Sequence, residues 1–357
     1  MTRLRGALLA LPVLFFCACG DDAAGTAPSG ETPAQDAATV LPSMPDTGGS
    51  MGAGGDDSDH ATIMQPDSGG PETSSETGVP VVDAGPPQHH IMVVEFPAVS
   101  SGSRLVEISA TGQLIWEHPI AGQVVMVQLL SNGNYLYPYA ATPSGVEEID
   151  RNHQVVWSYL SHAPEVWGGE RLTNGNTLLG EEGPCAAVEI NPLHQIAKSL
   201  ALTTQTQDTH HQIRKIHQLP NGNILGAMQG EGAAREYDAT GKTVWEYKNV
   251  PGIWEALRLP NGNTLLGGGD SKRVLEITPQ GQIAWELNAT DVPELGLTYI
   301  ASVQVLKSGN LLVCNWLGHD GGTGVHAFEV TRAKQVVWKL DDHQLLKSVA
   351  TVIAIDD

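Results

Sequence analysis

The sequence predicts an all-β protein, a six-bladed β-propeller, and three recurring features predict it. The turn SNGN at 131 returns as TNGN at 173, PNGN at 220, PNGN at 260 and KSGN at 307, each followed by an apolar run. A glutamate followed by an apolar residue recurs at Glu107, Glu148, Glu189, Glu236, Glu276 and Glu329, spaced by 41, 41, 47, 40 and 53 residues. Behind these comes a tryptophan, at Trp116, Trp157, Trp245, Trp285 and Trp338, with Ala197 in its place in one unit. Self-similarity at this period is the spacing of a four-stranded propeller blade.

Each unit reads as four short strands, because Asn-Gly supports the positive φ of a hairpin turn and its flanks are apolar and β-branched. In residues 252 to 287, IWEALRL is strand A, NTLLGG strand B, KRVLEI strand C and QIAWEL strand D. The first unit begins at strand B, HHIMVVEF, and has no strand A of its own, whereas the C-terminal SVATVIAID has the character of that missing strand. A last strand that closes the first blade is therefore predicted, a device that removes exposed sheet edges. One large ring per blade on strand D fills the wedge between neighbouring sheets, so the repeated tryptophans read as packing.

The chain ahead of the propeller differs in kind. MTRLRGALLALPVLFFCAC places Arg3 and Arg5 before a short apolar run, the pattern of a secretory signal. The stretch Phe16-Cys17-Ala18-Cys19 resembles a bacterial lipobox, which implies a signal peptide over 1–18, a lipid anchor on Cys19 and an exported lipoprotein of the cell envelope, on the periplasmic or surface side. Residues 19–88 are rich in Gly, Ser, Pro, Thr and Asp and carry neither Lys nor Arg, the composition of a disordered acidic linker. The propeller then occupies 89–357 with 28 acidic and 17 basic side chains, a net charge of −11 that argues against nucleic acid and against anionic lipid headgroups as a partner. Membrane contact is expected through the lipid anchor only, and the chain is expected to act as a monomer. Cys185 and Cys314 fall on blades facing each other across the ring, too far apart to bridge, and read as buried apolar residues.

Strand A lines the channel of a propeller, so residues that vary among the A strands are the candidates for ligand contact. They are Trp167, Glu170, His211, His217, Trp254, Glu255 and Tyr299, joined by His319 in the longer glycine-rich connection NWLGHDGGTGVHAFEV. Alternation along a strand puts His211 and His217 on one face and His210 and Arg214 on the other. No metal-ligand spacing recurs, and no phosphate loop, serine elbow or Cys-x-x-Cys occurs in the folded part.

Two families share parts of this pattern. YDATGKTVWEY at 237 to 247 resembles the tryptophan-docking repeats of the quinoprotein propellers; their calcium and quinone site has no counterpart here, so no cofactor is expected. Over roughly residues 89 to 350 the chain resembles the bacterial arylsulfotransferase-like propellers, through THHQIRKIHQLPNGNIL and the alternating Glu-apolar-Asp and Val-Trp segments. That resemblance implies a histidine that accepts a sulfuryl group from an aryl sulfate and passes it to a phenol, with His211 the preferred nucleophile, His210 beside it and Arg214 available as a sulfate clamp. The acidic Glu170 and Glu255 point instead to a module that binds a small molecule, glycan or protein at the channel mouth. A binding module is the leading expectation and the sulfuryl-transfer enzyme its alternative.

Overall fold

Asn-Gly turns drive the architecture. In each, the glycine takes a φ near +85°, as at Gly133, Gly175 and Gly262, and the first asparagine's side chain accepts the N–H two residues on, as Asn221 does from Asn223 at 3.0 Å. The computed structural model describes residues 89–96, 102–319 and 321–356. The predicted signal, lipid-anchor and linker segments lie outside the described residues.

Six four-stranded antiparallel sheets follow one another along the chain. Blade 1 holds β1 (Ile91–Glu95), β2 (Ser103–Ile108) and β3 (Leu114–Ile120); blade 2 is β4 (Gln128–Leu129), β5 (Tyr135–Tyr139), β6 (Gly145–Ile149) and β7 (Val155–Leu160). Blade 3 is β8 (Glu165–Arg171), β9 (Thr177–Glu182), β10 (Ala186–Ile190) and β11 (Ile196–Ala201). Blade 4 is β12 (Ile216–Gln218), β13 (Ile224–Met228), β14 (Ala233–Tyr237) and β15 (Thr243–Tyr247). Blade 5 is β16 (Glu255–Arg258), β17 (Thr264–Gly267), β18 (Arg273–Ile277) and β19 (Ile283–Asn288). Blade 6 is β20 (Ile300–Val305), β21 (Leu311–Asn315), β22 (Ala327–Val330) and β23 (Val336–Leu340). The C-terminal β24 (Val349–Ala354) pairs with β1, Ile91 opposite Ala354, and completes blade 1 as the sequence predicts.

The core is divided into wedges between blades. Leu136 and Val146 of blade 2 pack on Val166, Leu179 and Val188 of blade 3, and Leu225 and Ala234 of blade 4 on Ile253, Leu266 and Leu275 of blade 5. Each Leu, Ile or Val among them contributes about 1.5–3 kcal/mol on full burial. Cys185 and Cys314 are buried free thiols on blades 3 and 6.

The three repeated motifs meet at the seams. Asn221 and Asn223 donate to Glu236 at 3.3 and 2.7 Å; Arg258 of the next blade donates to the same carboxylate at 2.7 Å and lies 5.1 Å over Trp245. The Trp245 indole N–H in turn reaches the Pro279 carbonyl of blade 5 at 3.2 Å. Arg151, Arg171 and Arg332 repeat this clasp with Glu107 and Trp116, Glu148 and Trp157, and Glu276 and Trp285. Between blades 6 and 1, His89 bonds Glu329 at 2.7 Å and meets Trp338 edge-on. The unit lacking a tryptophan needs one correction: the strand register sets Lys198, not Ala197, opposite Glu189 where other blades place Trp opposite Glu.

Candidate functional site

Antiparallel alternation puts the Asn-Gly turns on one face of the ring and the connections into strand A and between strands B and C on the other, here called the loop face. Residues six, seven and four positions ahead of the turn's first asparagine therefore occupy matching heights in successive blades. Six ahead stand Gly168, Lys215 and Glu255; seven ahead, Trp167, Arg214 and Trp254; and four ahead, Glu170 and His217.

The first of these levels seals the channel. Lys215 is buried, and its ammonium donates to Glu255 at 3.0 Å, to the Ala301 carbonyl at 3.1 Å and to the Thr351 hydroxyl at 3.1 Å. The Thr351 hydroxyl donates onward to the Val125 carbonyl at 2.7 Å. Lys215 Cα also lies 2.9 Å from where a Cβ on Gly168 would stand, so blade 3 needs glycine there. All six blades converge on one lysine.

Below it, His217 is held between two carboxylates, Nδ1 to Glu170 at 2.9 Å and Nε2 to Glu255 at 3.1 Å. Both ring nitrogens face acceptors, which requires the imidazolium. Burial opposes that charge, but the hydrogen bonds and charges of Glu170 and Glu255 outweigh it and raise the His217 pKa to about 10. Burial would likewise raise Glu255, yet Lys215 and His217 hold it below the ordinary carboxylate range. Glu170 and Glu255, expected as ligand contacts, are thus already matched to internal cations.

Above the seal, Arg214 is buried between indoles, 4.4 Å from the Trp167 ring and 5.4 Å from that of Trp254. Its guanidinium donates to the Gln229 side chain and, at 2.9 Å, to the His210 carbonyl. Burial lowers its pKa, against the pull of Glu182 and other acids nearby. Tyr299 packs edge to face on Trp254 and Trp316, which are tilted 33° to each other, and its hydroxyl donates to the Gly252 carbonyl. His319 meets Phe96 and Trp316 edge-on at 5.1 Å. These aromatic residues form a floor.

The histidine pair sits on that floor's rim, and its geometry departs from simple strand alternation. Asp208 accepts the His210 N–H at 2.9 Å and caps a 3-10 turn over Thr209–His211, so strand A of blade 4 starts only at Ile216. His211 bonds Asp208 at 2.5 Å on the loop face, whereas His217 lies inside the channel; the two do not share a surface. His210 Nδ1 bonds Glu165 at 2.8 Å, the same oxygen that accepts the Trp167 indole N–H at 2.7 Å. Its Nε2 has no partner among the described residues.

Behind Glu165 lies Glu182, fully buried, with one oxygen accepting the Ile213 N–H at 2.8 Å and the other without a hydrogen-bond partner among the described residues. Burial pushes Glu182 up to about 8, while His210 and Trp167 outweigh burial at Glu165 and keep it below the ordinary range, so a proton rests on Glu182. On the loop face, a depression of about 340 Å³ is lined by Thr206, Asp208, His211, Gln229, Gly252 and Asp270. Glu165, Glu182, Asp208, Lys215 and Gln229 escaped sequence reading, although the offset from the Asn-Gly turn alone singles out Lys215. Among the described residues, no group of three or more His, Cys, Asp or Glu side chains is arranged to hold a metal ion.

Comparison with known proteins places this geometry in a wider set of folds. No family model and no curated protein matches the sequence. Among solved structures, the chain is similar to a protein of unknown function from Bacteroides caccae, at 24% identity and a TM-score of 0.67 over 74% of this chain and 98% of that one. It is also similar to a streptogramin B lyase, at 12% identity and a TM-score of 0.51 over 71% and 84%, and to a Lactobacillus plantarum protein at 13% and 0.51 over 71% and 82%. These likenesses establish the chain as a six-bladed β-propeller.

Proposed function

We propose that this chain is an exported, lipid-anchored propeller that binds a polar ligand at its loop-face mouth. What carries the reading is the seal: Lys215, Glu255 and Thr351 close the channel, so the polar groups available to a ligand are those on the rim. There Asp208, Asp270, His211 and Gln229 line the depression with Gly252, whose carbonyl accepts from the Tyr299 hydroxyl of the aromatic cluster. Carboxylates on a shallow rim suit a ligand rich in hydrogen-bond donors, such as a sugar or an amine, and disfavour an anion. The amino-terminal signal and Cys19 support export and anchoring.

Thermal-shift and calorimetric titration of the chain against soluble saccharides and amines tests the binding site. A saturable response weakened about tenfold or more, close to 1.4 kcal/mol, by Asp208→Asn or His211→Ala is expected. Responses indifferent to both substitutions would sink this site. Fatty-acid labelling that persists in Cys19→Ser would refute the anchor.

One observation favours sulfuryl transfer as a second reading. Glu165 backs His210 through Nδ1, which leaves the Nε2 lone pair available to attack sulfur as an aryl oxide departs, with a phenol later taking the sulfuryl group. Arg214, the cation that would clamp the sulfate, is buried between its two tryptophans. Turnover of 4-nitrophenyl sulfate abolished by His210→Ala or His211→Ala would establish this reading; its absence across donors and acceptors would remove it.

A further inference from the structure

We propose that His118 and His153 chelate a divalent transition-metal ion, Zn²⁺ or Cu²⁺, across the seam between blades 1 and 2. The site stands apart from the loop-face mouth and does not depend on its function.

His118 is on β3 of blade 1, and His153 is in the turn between β6 and β7 of blade 2. Their Nδ1 atoms are 3.1 Å apart, and both rings lie nearly parallel to Trp116. Two nitrogens at this separation, each about 2.0–2.1 Å from a metal, subtend roughly 100° at it, between square-planar and tetrahedral angles. Imidazole is the ligand these ions prefer. Without metal, one Nδ1 donates to the other; the ion would replace that proton, which moves to the same ring's Nε2, so both Nδ1 lone pairs bind the ion from two neutral rings with no net proton lost. No third side chain of ligand type completes a closed cluster among the described residues, which leaves the other positions to water.

The backbone supplies a second argument. His153 holds a φ of +64° at the turn position that blades 1, 4 and 5 fill with glycine, at Gly112, Gly241 and Gly281, and blade 6 with Lys334, also at +64°. A side chain is strained there. His194 repeats the same conformation one blade on and stacks on Trp157 at 5.5 Å, so stacking explains one imidazole at this turn. It does not explain the second. Two residues past Trp116 stands His118, whereas two past Trp157 stands Tyr159. Among the described residues, the hydrogen-bonded imidazole pair lies at the blade 1–2 seam, and His194 is a control built into the molecule.

The test is calorimetric titration of the full chain with Zn²⁺ beside His118→Asn, His153→Gly and His194→Gly. One equivalent should bind the wild type and His194→Gly alike. Losing one of two ligands should weaken that binding at least about tenfold, since removing a mere outer-shell partner already costs as much. His153→Gly restores the turn's usual residue, so its metal-free melting temperature should rise, which shows that lost binding is not lost folding. Unchanged affinity in either His118→Asn or His153→Gly, or a loss in His194→Gly equal to theirs, overturns the proposal.

Discussion

The seam between blades 3 and 4 differs from the other five. Elsewhere a basic side chain from the next blade, an arginine at four seams and His89 at the fifth, bonds the repeated glutamate at the turn face beside an aromatic ring, as Arg258 does with Glu236 and Trp245. At the odd seam Lys198 occupies the tryptophan position, Gln218 occupies that of Arg258, and among the described residues no cation reaches Glu189, which keeps only Asn174 and Asn176. The polar contacts have moved inward and to the loop face: Glu170 holds His217, Glu165 holds His210, and Trp167 covers Arg214. The lesson is that single-copy residues do two jobs here. They close a seam that lacks the shared clasp, and they furnish the rim of the candidate site.

The sharpest way to break this arrangement is Lys215→Ala. It leaves Glu255 buried beside a single cation and removes the contacts that draw the blades together. A loss of about 3–5 kcal/mol, read as a fall in the denaturation midpoint, is expected for one member of a buried pair. A loss below about 1 kcal/mol would mean that the seal does not hold the ring.

A smaller effect, selective for pH, is expected from His217. Its pKa is raised to about 10 in the fold from about 6.5 unfolded, so its stabilisation is complete below about pH 6.5 and is lost as pH rises through 10. Glu182, raised to about 8 from about 4.5, adds a loss of its own as pH rises between those values, which a His217→Gln variant retains. The gap between wild type and His217→Gln, followed by chemical denaturation from pH 6 to pH 10, should therefore narrow steadily. A gap constant with pH would show that His217 is not held as an imidazolium.

The outer clasp is worth less, because Arg258 is partly exposed and its pair is screened. Arg258→Ala should cost about 1 kcal/mol, from the ion pair and the ring contact together. The same substitution at Gln218, where no clasp exists, should cost less than half of that by the same denaturation measurement.

How much of this was legible in the sequence follows from repetition. Blade number, strand order and closure by the last strand rest on six copies of one pattern, so each local ambiguity is settled by the other five. The odd unit shows the limit. Tryptophan stands nine residues after glutamate in every other blade, and that constant points to Lys198; the looser motif pointed to Ala197. The rim was least legible. Residues 202 to 213 occur in no other unit, and the Asp208 cap, which moves His210 and His211 out of the strand, is a local bond that periodicity does not encode. Glu165 and Glu182 look like ordinary charged strand ends until the fold places them together.

The smallest effect is the most discriminating. If the odd seam lacks only its clasp, then Lys198→Trp and Gln218→Arg together should install one, the new arginine reaching Glu189 and the new indole lying beneath it as in blades 4 and 5. Gln218 now donates only its backbone N–H to Glu170, so its side chain is free to change without breaking that contact. Each single substitution should be nearly neutral, since an arginine without its ring and a ring without its arginine gain little. The double variant should exceed their sum by about 0.5–1 kcal/mol in a double-mutant cycle. Additivity would mean that inward migration of the polar contacts has reshaped the seam, so that the outer clasp and the single-copy site exclude one another.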